Sequence, residues 1–248
     1  ADVFGFAIGP VVSAVLVGPL GIAGPFVVIA ALNLVVAVRV LTTVDVPESD
    51  AGESSRFAFD LLRHPPFAGA VILGTAAFVM IGAFDSLWDV VHTDLDTPEW
   101  MANVGIAIFA IPLVLLGPTA GNLAQRLGPF FVAAAGLVAA ALFLGIYGVL
   151  SVGAVIFAFT MGHAITDGLT FAASGVAVGM TAPEHRQAGA QGVLGGLQSL
   201  GAGLTAPITG WIYENHGQRA AYWTAAGTVL VLTLIGLGVA GSARRLRG

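Results

Sequence analysis

Gly117-Pro-Thr-Ala-Gly-Asn-Leu-Ala-Gln-Arg-Leu-Gly128 separates two long apolar runs, and Arg126 within it is the only charged residue between Glu99 and Asp167. A spanning helix needs roughly 20 mostly apolar residues. Working outward from this stretch, eight segments meet or approach that length: about 3–18, 25–42, 67–92, 100–120, 129–149, 152–178, 189–213 and 219–241. The gaps between them are short and carry Gly, Pro and charge: 18–24, 94–98, 122–128, 183–187 and 214–218. The break near 148–153 is the weakest, with no charge at all. Short gaps force neighbouring spans to run antiparallel, so the two sides of a membrane alternate.

Composition supports the same solvent. The 248 residues are 57% hydrophobic and 9% charged, with a mean hydropathy of +0.93. A soluble domain carries about 25% charged residues. The net charge of -5 comes with no basic tract to hold nucleic acid. There is no cysteine, hence no disulfide, thiolate nucleophile or zinc-thiolate site, and the redox compartment stays undetermined. All nine basic residues are Arg, so lysine chemistry is excluded as well.

The arginines orient the spans. Arg39, Arg56, Arg63, Arg126, Arg186, Arg244, Arg245 and Arg247 follow the even-numbered spans, and Arg219 alone lies on the other side. Such a bias marks the arginine-rich side, with the C-terminus, as cytoplasmic. The opposite loops carry Asp94, Asp96, Glu99 and Glu214.

One polar gap is long. Thr43 to Pro66 holds Asp45, Glu48, Asp50, Glu53 and Asp60. Its acidic first half reads as a flexible linker. For the second half two readings stay open. Either Ser55 caps a short helix with Phe57, Phe59, Leu61 and Leu62, stopped by Pro65-Pro66 and lying on the inner membrane surface, or the segment is unstructured. The expected division is 1–42, two spans; 43–66, cytoplasmic linker; 67–241, six spans; 242–248, cytoplasmic tail. The chain starts at Ala1 inside an apolar run, without the basic region or cleavage site of a signal peptide. It reads as a piece of a longer chain.

Three stretches carry a family resemblance. The loop Gly121-x-Leu123-Ala124-x-Arg126-Leu127-Gly128 resembles the short helix-helix gate loop of the major facilitator superfamily. Gly5-Phe-Ala-Ile-Gly9-Pro10-Val-Val-Ser13-Ala14 is similar to the span-five signature of its proton-coupled exporters; Gly9 permits close approach and Pro10 bends the span. Ala182-Pro183-Glu184-His185-Arg186, followed by Gly192, Gly195, Gly196, Gly201, Gly203, Pro207 and Gly210, resembles the tenth loop and eleventh span of drug-efflux members. Small residues at Gly192, Gly196 and elsewhere are expected to permit tight packing or a curved helix. The resemblance implies an all-α membrane protein: the major facilitator fold lacking its first four helices, with about eight transmembrane helices. It departs from the pattern at Gln125, Pro129 and Phe130, where an acid and basic residues belong, so a gate latch at Arg126 is depleted.

A charge at mid-bilayer costs about 2.5–3.5 kcal/mol on insertion scales, so such residues usually face a cavity. Asp85, Asp89 and His92 share one face of the third span. His163 and Asp167 lie one turn apart on the sixth, as a proton relay or as a buried pair that joins helices. The resemblance makes these spans seven and ten, which line the central cavity. Phe84, Trp88, Phe109, Phe159 and Phe171 are candidate cavity aromatics. With no buried Arg or Lys, they favour an amphipathic or cationic small molecule over phosphate or a dicarboxylate.

The expected function is secondary active transport by alternating access, coupled to protons at Asp85, Asp89, His163 and Asp167, with export implied by the resemblance. The partners are a small-molecule substrate, protons and membrane lipid; no nucleic acid, cofactor or metal is expected. A facilitative uptake carrier and a non-transporting fragment are the alternatives. His163-x-x-x-Asp167-Gly168 also spells the signature of acyl-transfer enzymes, but nothing here supplies their soluble mixed domain, and an enzyme is not expected.

Overall fold

The computed structural model describes residues 12–13, 15–43 and 58–245. The chain divides into two compact units, 1–54 and 55–248. In the first, residues 15–20 are helical, Gly21 adopts a φ of 69°, and α1 runs Gly24–Thr43. The polar side chains of α1 bond back to its own turns: the Asn33 amide donates to the Ile29 carbonyl at 3.0 Å and the Thr42 hydroxyl to that of Val38 at 2.9 Å. An apolar helix thereby leaves fewer donors needing water. Gly9 and Pro10, and the linker acids Asp45, Glu48, Asp50 and Glu53, lie outside the described residues.

The second unit is helical throughout its described length: α2 Pro65–Asp94, α3 Glu99–Leu127, α4 Pro129–Tyr147, α5 Gly153–Thr181 and α6 Gln187–Arg245. Among the described residues four helices are long and apolar enough to cross a membrane, namely α2, α4, α5 and α6. A straight α6 of 59 residues would extend about 88 Å, close to three times the hydrocarbon thickness. Gly217 resolves this: with φ 80° and ψ 175° it breaks α6 into two arms. The first arm runs parallel to α2, with Leu194 at Gly74 and Ala202 at Gly82; the second runs antiparallel, with Gly236 at Leu73 and Ala240 at Gly69. α2 therefore lies against both arms, and the second unit has six span-length segments.

Small residues set these distances, though not the expected ones. A Cβ at Gly82 would sit 2.5 Å from the Ala202 carbonyl oxygen, and one at Gly69 2.6 Å from that of Gly236. On α4, a Cβ at Gly136 would overlap the Thr170 hydroxyl of α5. Gly192, Gly195 and Gly196 have open space instead, so tight packing on the first arm falls to Gly189 and Gly201.

Two further expectations are corrected. Residues 122–127, expected as a gap between spans, are the last turns of α3, and the connection is Gly128 alone at φ 93°. Pro65 and Pro66 do follow the end of a short helix, as expected, but they also begin α2, where a missing N–H costs nothing. Before them, Ala58–Arg63 forms a 3-10 turn. Its Ala58 and Leu61 insert among Phe67, Val178, Ala190 and Leu194, so the turn caps the helix ends rather than floating on lipid; Phe59 remains exposed. The Arg186 guanidinium grips both carboxylate oxygens of Asp60 and fixes this turn to the α5–α6 connection.

At the opposite end, the Gln218 amide donates to the carbonyls of Tyr147 at 2.6 Å and Leu150 at 2.9 Å, and the Trp223 indole to that of Gly145 at 3.1 Å. These bonds tie the break in α6 to the α4–α5 turn. Tyr213 donates to Asp94 at 2.6 Å there. Arg63, Arg126, Arg186, Arg244 and Arg245 thus belong to one end of the unit and Arg219 to the other.

Candidate functional site

α5 is rich in hydroxyls, and it consumes them itself. Thr166, Thr170 and Ser174 each donate to a carbonyl one turn back, at 2.7, 2.7 and 2.8 Å. What the helix leaves unspent are two ionisable side chains. His163 and Asp167 are fully buried, one turn apart, with His163 Nε2 3.4 Å from Asp167 Oδ1. That distance and geometry fall short of a hydrogen bond, and both Asp167 oxygens and His163 Nε2 lack a hydrogen-bond partner among the described residues. An unpaired buried polar group carries its full desolvation cost. Strained polarity of this kind concentrates where groups bind or release something.

The walls of this site come from four helices. Phe143 of α4 stacks on the His163 ring, with centroids 4.9 Å apart. Phe84 of α2 meets it edge-on at 5.8 Å, and Phe109 of α3 stacks on Phe84 at 5.4 Å. Tyr147 places its hydroxyl 3.2 Å from His163 Nδ1. Trp88, packed on Phe84, donates its indole N–H to the Ala102 carbonyl at 2.9 Å and joins α2 to α3. The imidazole thus sits in an aromatic box, with the buried carboxylate one turn away.

The predicted residues divide. Phe84, Trp88, His163 and Asp167 come together. Asp85 and Asp89 are exposed on α2, and Asp85 lies close enough to Asp167 for the two carboxylates to act on each other. His92 leaves their face: it is buried, stacks edge-on with Trp88 at 4.2 Å, and pairs through Nδ1 with the Thr97 hydroxyl at 3.0 Å. It braces the α2–α3 turn, beside a cleft of about 660 Å³ lined by Asp89, Asp96, Thr97 and Glu99. Phe159 is partly exposed beside Phe143 at 6.4 Å, and Phe171 pairs with Phe78 at 5.7 Å, both away from the box. Arg126 is exposed near the end of α3 and makes no ion pair among the described residues; Gly121 lies within that helix.

Tyr147 and Phe143 escaped the sequence reading. The signal was a tyrosine closing an otherwise apolar run just before Gly148, one of only three in the chain. A residue there looks like an interfacial anchor. The fold instead buries it completely, against Tyr222 of α6.

A comparison with curated proteins yields no match. A family model described as the Major Facilitator Superfamily matches residues 84–245, from the aromatic box through the second arm of α6. With all-helical architecture, span-length apolar helices and that match over more than half its length, the chain belongs to the Major Facilitator Superfamily of integral-membrane secondary transporters.

Proposed function

We propose that the chain serves proton-coupled export of an amphipathic or cationic small molecule by alternating access, with its arginine-rich end and C-terminus in the cytoplasm. The observation that carries this reading is the fully buried carboxylate of Asp167, unpartnered at both oxygens and one turn from a buried imidazole. An ionised Asp167 is costly when fully buried without a partner, and protonation relieves that cost. The closed arrangement around α5 therefore favours the protonated acid. The ionised acid favours an arrangement that admits water or a cation. A proton leaving Asp167 for water on one side, and another taken up on the opposite side, biases which face opens as the two halves of the fold rock about the midplane. Asp85, exposed on α2 within reach of Asp167, supplies a second carboxylate for a cationic substrate or for the proton. The aromatic rings offer faces to an amphipathic cation. Drug-efflux character and the export direction rest on the likeness of 182–210 to the tenth loop and eleventh span of such exporters.

The test is proton-gradient-driven transport of fluorescent cationic dyes in vesicles holding the full chain. Asp167→Asn is expected to abolish the dependence on the gradient. If transport and its pH dependence persist in both Asp167→Asn and Asp85→Asn, a facilitative carrier of the same fold is the correct reading.

A further inference from the structure

We infer that Tyr147 is a positioning residue for the His163–Asp167 pair: its hydroxyl donates to His163 Nδ1 and so holds the imidazole proton on Nε2, the nitrogen facing Asp167. The inference rests on reading Asp167 as the coupling carboxylate.

A neutral imidazole has one N–H and one lone pair, on different nitrogens. The Tyr147 hydroxyl is buried, and His163 Nδ1, at 3.2 Å, is its only side-chain partner among the described residues. If Nδ1 accepts from the phenol, the remaining proton must reside on Nε2, the nitrogen 3.4 Å from Asp167 Oδ1. The opposite tautomer strands the phenol proton and sets a lone pair against a carboxylate. Only the first arrangement satisfies the phenol proton and sets an N–H, not a lone pair, on the side of the carboxylate.

Tyr147 is itself held firmly. Its ring stacks with Phe143 at 6.3 Å and meets Tyr222 edge-on at 5.7 Å, while its carbonyl accepts from Gln218. The tautomer is thereby fixed by α4 and by the start of the second α6 arm, not by α5 alone. A reorientation of the imidazole or the carboxylate is needed to turn the 3.4 Å contact into a hydrogen bond to the ionised acid, and protonation of Asp167 removes its advantage. The titratable groups facing the pair are Asp85 from α2 and Tyr147 from α4. Tyr222 of α6 touches Tyr147 rather than His163, and α3 contributes Phe109.

Nitrogen-15 NMR of histidine-labelled full chain in lipid vesicles reads the tautomer directly, with His163→Gln identifying the His163 signals among the five histidines. The wild type is expected to show protonated Nε2 and unprotonated Nδ1. Tyr147→Phe, which keeps the ring, is expected to lose that single state and to move the pH profile of dye transport to higher pH, because the ionised carboxylate no longer has an imidazole N–H held on its side. A wild type protonated on Nδ1, or a tautomer unchanged in Tyr147→Phe, overturns the inference. If Asp167→Asn abolishes coupling but Tyr147→Phe leaves the pH profile in place, the positioning role fails alone. If Asp167→Asn leaves coupling intact, the coupling assignment fails, whatever the tautomer.

Discussion

Gly82 of α2 and Ala202 of α6 approach so closely that a Cβ on Gly82 would lie 2.5 Å from the Ala202 carbonyl oxygen. The obstacle is backbone, which cannot swing aside as a side chain can. Gly82→Val is therefore expected to destabilise the second unit by about 1–3 kcal/mol through overpacking, read as a lower thermal midpoint in detergent. Gly192→Ala is the matched control: nothing lies within 4 Å, so it should be neutral or stabilising by up to about 1 kcal/mol from helix propensity. Equal losses in both variants would refute the assignment of close packing to α2 rather than to Gly192.

This pairing also shows where the sequence was silent. Apolar runs announced the segments of the second unit because lipid demands length and lack of charge, and the arginines ordered their ends. Which glycine meets a neighbour depends on rotation about each helix axis, and a helix apolar on every side gives no periodicity from which to read it. The end of α3 was misplaced for a related reason. Asn122, Gln125 and Arg126 look like loop residues, but a helix leaving the hydrocarbon continues readily among polar side chains. It stops where Gly128 takes φ 93° before Pro129. His163 and Asp167 were legible as charges out of place. Tyr147 was not, because only the fold brings α4 beside α5.

Burial without partners makes a prediction opposite in sign to the usual effect of removing a core residue. Asp167→Leu keeps an apolar side chain of similar reach and deletes two unsatisfied oxygens. The variant is expected to gain stability, by about 1–3 kcal/mol, while losing proton coupling, the trade-off seen where function keeps a site strained. Thermal unfolding near neutral pH, alongside dye transport, separates the cases. A marked fall in stability would identify the pair as a hydrogen-bonded clasp between helices instead.

Asp60 and Arg186 join positions 126 residues apart. The pair lies at the arginine-rich end, with the Asp60 side chain 39% exposed, so salt screens it over a Debye length of about 8 Å at 0.15 M. Asp60→Asn and Arg186→Gln are each expected to lower the thermal midpoint at low ionic strength, and the double variant should lose less than the two effects summed. The coupling should shrink in high salt. A strictly additive, salt-independent pair would mean that Ala58 and Leu61, inserted in the core, hold the turn without help from the charges.

The return of α6 depends on Gly217. Its φ of 80° with ψ of 175° lies in a region almost closed to residues with a Cβ. No neighbour lies within 4 Å of the position, so Gly217→Ala isolates backbone strain from steric contact. The expected cost is about 1–3 kcal/mol. The strain should also loosen Gln218, the next residue, from the Tyr147 and Leu150 carbonyls. Gln218→Ala removes those two bonds and leaves the turn geometry alone, at about 0.5–1.5 kcal/mol for each bond. Hydrogen exchange then discriminates: Gly217→Ala should raise exchange on both sides of the break, whereas Gln218→Ala should raise it chiefly around 147–153. If Gly217→Ala is silent in stability and exchange, the two arms are held by α2 alone, and the break follows from their packing rather than directing it.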